Sequence, residues 1–237
     1  MFGFSIVVAI AVREFIWERE SLNSQIIQVQ SPVHCTSFPQ VMGVQPYVLW
    51  SSNFILMLAV LGIDAILLTL VFYFGGLLPN SDPSLVLLLL LNYGISIIMF
   101  TFLLSVIMTK STSGSVASLL LFILTFLPFL ILISLSEEVH IVFRVIGNLF
   151  MSTSFGFSFL YITRCLMSSF TSFARYEQQG IGLNWENFAT SPLKEDQLTF
   201  LSCFLLLLLD SLLYGLLAIL ATKVSWSVPY HEDCLCR

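Results

Sequence analysis

Charge is what this sequence has least of. Only 10% of its 237 residues are Asp, Glu, Lys or Arg, against about 25% in soluble domains. A surface so poor in charge excludes a water-soluble globule, and no basic patch or charge run is present to meet nucleic acid. The five cysteines, Cys35, Cys165, Cys203, Cys234 and Cys236, are odd in number and follow no paired spacing, so no disulfide framework is expected. An Asn-x-Ser/Thr sequon is missing. None of the 12 glycines precedes a lysine, so the chain holds no Walker A loop to cradle a nucleotide, and no ATP hydrolysis is expected of it.

What fills the space is apolar. Hydrophobic residues make up 57% of the chain, with 22 phenylalanines and a mean hydropathy of +0.95. Lipid must therefore solvate its sides. The apolar runs are long and do not alternate, so helices rather than a barrel must satisfy the backbone hydrogen bonds. The fold class is all-α and polytopic, with about four full membrane helices, a partial N-terminal one and a further helical pair.

The N-terminal run, Phe2 to Val12, is too short to cross a hydrocarbon core of about 30 Å. No positive residue precedes it and Arg13-Glu14 follows it, which argues against a signal peptide and for the end of a longer helix. Residues 1–20 are thus read as a truncated membrane helix with its cytosolic extension. Residues 21–46 contain three prolines and no charged residue, an irregular connector. The membrane domain, 47–222, begins with a hairpin. Tyr47 to Phe74 ends at Gly75-Gly76, and after the turn "LLPNSDPS" the chain returns through Leu85 to Met108. Lys110 and a serine-rich turn lead to Val116 to Ser134, which Pro128 should kink. The last span is Leu198 to Thr222, and residues 223–237 form a short polar tail.

Residues 139–170 are ambiguous. They are mostly apolar, yet His140, Arg144 and Asn148 recur at i, i+4 and i+8, followed by serines and threonines. Such a segment can cross the bilayer or dip in and return. A dip puts Arg13, Arg19, Lys110 and Lys223 in the cytosol and residues 171–196 outside it, which is the topology adopted.

Two intramembrane carboxylates, Asp64 and Asp210, each cost about 2.5–3.5 kcal/mol at a helix centre and need partners or water. Neither lies in the Tyr-Asp or Gly-x-Gly-Asp setting of an intramembrane aspartyl protease, so no catalytic residue is assigned. Asp210 is expected to bond Tyr214, one turn along the same helix, and to help dock the last span. The tail groups His231, Glu232, Asp233, Cys234 and Cys236, but a tail lacking a second ligand pair rarely folds around a metal, so no metal or other cofactor is expected. Cys234-Leu-Cys-Arg ends in arginine and is a poor prenylation box.

The stretch "YEQQGIGLNWENF" is glycine-spaced but lacks the strand and helix that a dinucleotide fingerprint needs. Its Glu177, Gly180, Gly182, Trp185 and Asn187 instead resemble a pattern that precedes the final membrane helix in each half of the ABC transporter A subfamily, the large lipid exporters. "VREFIWERE", "MGVQPYVLW", "NSDPS" with its Asp82, and "LLLLDSLLYGLL" with Asp210 and Tyr214 resemble further family segments in family order. The resemblance implies that residues 139–170 are the paired re-entrant helices of the outer face and 171–196 the outer connector. It also implies membrane lipids as partners, together with an ATP-binding partner or a full-length transporter half.

The departures from the family bear on function. Between Glu20 and Met42 the family has a shorter, lysine-rich helix that presses on the ATP-binding domain; here residues 21–41 carry no lysine. The family's first helix, large outer domain and ATPase domain are not recognisable in the sequence. The reading is a membrane fragment of one transporter half, integral and multi-pass, unable to power transport alone, with association with full-length relatives as the alternative role.

Overall fold

The computed structural model describes residues 6–17, 46–76, 81–108, 110–135, 141–171, 183–189 and 199–227. Among these residues all regular structure is helical: α1 at 6–17, α2 Pro46–Phe74, α3 Pro83–Ile107, α4 Ser111–Leu124, α5 Leu127–Ser134, α6 Ile141–Gly147, α7 Met151–Thr171 and α8 Phe200–Ser227. Four helical stretches are long and apolar enough to cross a membrane: Trp50–Phe74, Pro83–Ile107, Thr112–Ser134 and Phe200–Lys223. They fall on the four spans expected from the sequence. The 21-residue α7 is less apolar than these spans, and its first turns carry Ser152, Thr153, Ser154 and Ser158.

Helix ends follow local chemistry. α2 stops where Gly76 adopts φ +61°, a left-handed conformation that glycine takes without a Cβ penalty. α3 starts on Pro83, whose missing N–H costs nothing in a first helical turn. The third span breaks between Leu124 and Leu127, because Pro128 cannot donate to the carbonyl one turn back and its ring crowds that carbonyl. Thr125 and Phe126 stay in the right-handed helical region, so the expected kink is a local loss of helical hydrogen bonds within one span.

α3 is the span most enclosed by its neighbours and α2 the least. α3 and α8 run parallel: Asn92 Nδ2 donates to Phe204 O and Ser96 Oγ to Leu207 O, each at 3.1 Å, and further along Phe100 meets Tyr214 edge-on, with ring centroids 5.5 Å apart. The main core joins Val8, Val12 and Ile16 of α1, Leu61 and Ala65 of α2, the α3 row Leu89, Tyr93 and Ile97, and Leu207 of α8. At one end of the bundle Phe15 of α1 and Trp50 of α2 both pack on Phe102 of α3. That end carries Arg13 and Lys110, and Lys223 follows from the parallel course of α8.

A smaller apolar cluster unites Phe129 and Leu132 of α5, Val145 of α6, Phe157 and Tyr161 of α7, and Cys203. Two glycines make this packing possible. A Cβ at Gly147 would collide with Leu132 Cδ1, and one at Gly156 would stand 2.7 Å from the Phe129 ring. The turn between α6 and α7 is anchored by its flanks, with Leu149 and Phe150 exposed at its tip. Met151, Ser152, Thr153, Ser154 and Asn148 are fully buried, whereas Phe159, two turns later, packs on Phe72 near the end of α2. Arg144 and Asn148 keep the expected i, i+4 register, the Asn148 N–H donating to Arg144 O at 2.9 Å just past the end of α6 at Gly147; His140 lies outside the described residues.

Candidate functional site

Two polar sites stand out in an otherwise apolar molecule. The first is a clasp at the end of the bundle opposite Lys110. Asp82 precedes Pro83 and makes no side-chain cap bond to its own helix. Its backbone N–H donates to Leu183 O at 3.0 Å, and its Oδ2 accepts the Trp185 backbone N–H at 3.4 Å. Leu183 N–H donates to Ser81 Oγ at 3.2 Å, and the Trp185 indole N–H to Ser84 Oγ at 3.1 Å. Asn187 shapes the other strand of the clasp, its Oδ1 accepting the Asn184 N–H at 2.8 Å, which is the local side-chain turn that asparagine favours. Leu201 N–H then donates to Phe188 O, tying the clasp to the first turn of α8.

The clasp thus brings together Asp82, Trp185 and Asn187, three of the residues singled out in the sequence, across about a hundred residues of chain. Glu177, Gly180 and Gly182 lie outside the described residues. Nothing in the sequence paired "NSDPS" with the tryptophan; a turn aspartate before proline reads as a cap for its own helix, and only the docked loop supplies it with another donor.

The second site is a buried polar seam where α7 begins. Ser152 Oγ and Thr125 Oγ1 are 2.7 Å apart, and Thr153 Oγ1 donates to the Thr125 carbonyl at 3.1 Å. Thr125 lies at the break before Pro128, so α7 hydroxyls serve backbone that an unbroken helix would have satisfied itself. The Tyr93 hydroxyl bonds that of Ser152, and its ring stacks on Phe155 with centroids 4.1 Å apart. Ser154 Oγ donates to Asn148 O, and Asn148 Nδ2 reaches Cys203 Sγ at 3.9 Å.

Asp210 and Tyr214 lie on the buried face of α8 with Cys203, Leu207 and Ala218. The expected bond between them is not formed. Both Asp210 oxygens are without a hydrogen-bond partner. Tyr214 is held elsewhere: its ring lies against Phe100 and its hydroxyl meets the backbone of Met151, an amide in the first turn of α7 with no helical acceptor of its own. Sequence reasoning also passed over Asn92, Tyr93 and Ser96. The signal was available, since an amide and a hydroxyl one turn apart inside "LLLLLNYGIS" have no place in a lipid-facing run. No group of three or more His, Cys, Asp or Glu gathers among the described residues.

Comparison with known proteins agrees with this architecture. The model of the ABC-2 family transporter protein matches residues 1–220. The glucosylceramide transporter ABCA12 of Homo sapiens is 27% identical over 92% of this chain and 8% of its own length. The retinal-specific phospholipid-transporting ATPase ABCA4 of Mus musculus is 32% identical over 74% of this chain and 7% of its own. ATP-binding cassette sub-family A member 2 of Homo sapiens is 26% identical over 89% of this chain and 8% of its own. The chain therefore spans less than a tenth of the relatives it matches, and what it matches is their membrane portion. The protein is an integral, multi-pass, all-α membrane protein, and it belongs to the ABC-2 transporter family, with A-subfamily relatives.

Proposed function

We propose that residues 1–237 form membrane structure of an A-subfamily-type lipid transporter, with ATP hydrolysis supplied by a nucleotide-binding domain outside them. The observation that carries this reading is the similarity to A-subfamily members over about nine-tenths of the chain, two of which are named for glucosylceramide or phospholipid transport. The substrate class is accordingly an amphipathic membrane lipid.

In this reading α6 and α7 are the re-entrant pair of the extracytosolic face. Three features support it: α7 is less apolar than the four spans, its N-terminal residues are buried, and the hydroxyls there serve the broken third span. Arg13, Lys110 and Lys223 then face the cytosol and the clasp faces away from it. The domain division follows: an N-terminal helix end at 1–20, a connector at 21–46, the helical domain at 47–222 with outer loop 171–196, and a tail from 223. The clasp holds the start of α3, the outer loop and the start of α8 in one register, so a movement of either helix is transmitted to the other at that end.

A second reading is favoured by one sequence feature, the lysine-free connector of residues 21–41 in the place of a coupling helix. In that reading the chain associates with a full-length relative without being driven itself. Purified chain is reconstituted in vesicles with a fluorescent phospholipid, alone and co-expressed with an A-subfamily nucleotide-binding domain. The first reading expects the two to co-purify and leaflet exchange to become ATP-dependent. Co-purification without exchange selects the second. ATP-dependent, vanadate-sensitive exchange by the chain alone overturns the requirement for an external ATPase.

A further inference from the structure

Four buried side-chain nitrogen or oxygen atoms among the described residues are without a hydrogen-bond partner: Asn92 Oδ1, Asn148 Oδ1, and both Asp210 oxygens. All four are acceptors. The two amides are oriented by their own donations, Asn92 Nδ2 to Phe204 O and Asn148 Nδ2 to Cys203 Sγ, so each leaves its carbonyl oxygen as the free end. They address consecutive residues of α8, about 9–10 Å along that helix from Asp210 at 1.5 Å per residue. Asp210 itself is fully buried, as is Asn148.

Spare acceptors without spare donors call for a donor or a cation, and the carboxylate among them calls for neutralisation. A carboxylate without a partner in hydrocarbon surroundings is too costly to persist as a bare anion. No neighbouring side chain neutralises it. Between Pro83 and Ile107 of α3, 151 and 163 of α7, and 200 and 222 of α8, Asp210 is the one charged residue; the other titratable groups are Tyr93, Tyr161, Tyr214 and Cys203. A buried carboxylate between packed helices, with no basic side chain beside it, is a setting that membrane proteins use for small cations and protons.

We propose that Asp210 is the anionic pole of an internal site for one monovalent cation, an alkali-metal ion or a proton, with the Asn92 and Asn148 carbonyl oxygens marking its approach along the buried face of α8. A single positive charge is the match for one carboxylate and two neutral amides. The separation of the amides from Asp210 makes them successive stations rather than one coordination shell. The occupant holds α3, α7 and α8 together by removing the charge that would otherwise draw water between them.

The test uses the full chain in nanodiscs. Thermal unfolding is measured in sodium or potassium chloride and, at equal ionic strength, in N-methyl-D-glucamine chloride, whose cation is too large to enter. If a metal ion is the occupant, the midpoint rises with sodium or potassium and saturates, by roughly 5–10 °C at about a hundredfold excess over Kd, and Asp210→Asn abolishes the rise. If a proton is the occupant, the midpoint ignores the salt, and the infrared spectrum of protein carrying 13C-labelled aspartate, in an Asp64→Asn background, shows a protonated-carboxyl C=O band that Asp210→Asn removes. No ion dependence and no protonated-carboxyl band would overturn the proposal. Should Asp210→Asn fail to fold, the infrared comparison of the Asp64→Asn protein in sodium and in N-methyl-D-glucamine decides alone: a carboxylate band that shifts with sodium or an acid band supports the site, and an unshifted carboxylate band in both sinks it.

Discussion

The indole N–H of Trp185 donates to the hydroxyl of Ser84 across 3.1 Å, joining the loop before the last span to the first turn of the helix that carries Asp82. This bond has neighbours. The Trp185 backbone N–H lies on Asp82 Oδ2 and the Leu183 N–H on Ser81 Oγ, so three donors of the loop meet three acceptors around one proline-started helix.

Trp185→Phe keeps an aromatic ring beside Phe188 but loses the indole donor. A cost of about 0.5–1 kcal/mol is expected, toward the lower side of the usual range because Trp185 is half exposed. Ser84→Ala should cost about the same, and the double variant no more than either alone. A double-mutant cycle on unfolding in detergent checks this; fully additive losses would show that the two side chains do not interact.

Ser96→Ala and Thr153→Val remove one hydroxyl each from buried helix contacts, and the second should cost more. Ser96 donates to Leu207 O within a continuous helix, where the carbonyl keeps its own backbone bond, so about 0.6 kcal/mol is expected. Thr153 donates to Thr125 O at the break before Pro128, where loss of a partner costs about 1–3 kcal/mol. Comparing the two unfolding free energies tests whether α7 hydroxyls serve the interrupted span.

Gly156→Ala places a methyl group 2.7 Å from the Phe129 ring. Over-packing of this kind costs about 1–3 kcal/mol. Gly62→Ala, whose added carbon meets nothing within 4 Å, should leave stability unchanged or slightly raised by helix propensity. Equal thermal midpoints for the two variants would contradict the close α5–α7 packing.

The topology gives a prediction independent of stability. A glycosylation sequon introduced near Gly180 should be modified in microsomes, and one introduced after Lys223 should not, because an α6–α7 pair that dips and returns leaves residues 171–196 outside the cytosol. The reverse pattern would make residues 139–170 a crossing segment.

Length and hydropathy were enough to place the four spans, since lipid forces every backbone group of a 20-residue apolar run into a helix whatever its neighbours are. Proline chemistry likewise located the interruption near Pro128, and the Gly75-Gly76 stop was legible from the need for a left-handed residue. The family motif around Trp185 could be recognised as a pattern. Its partner could not. Isolated polar residues such as Asn92, Ser96 and Asp210 mark a buried face of α3 and α8, but not what covers it: the meeting of Asn92 with Phe204 O, of Asp82 with Trp185, and of Thr153 with Thr125 O depends on the parallel course of α3 and α8 and the docking of α7. Asp210 shows the difference most clearly. Helical spacing set Tyr214 on its face one turn away, but tertiary packing drew that hydroxyl to the free first-turn amide of α7 and left the carboxylate without a hydrogen-bond donor.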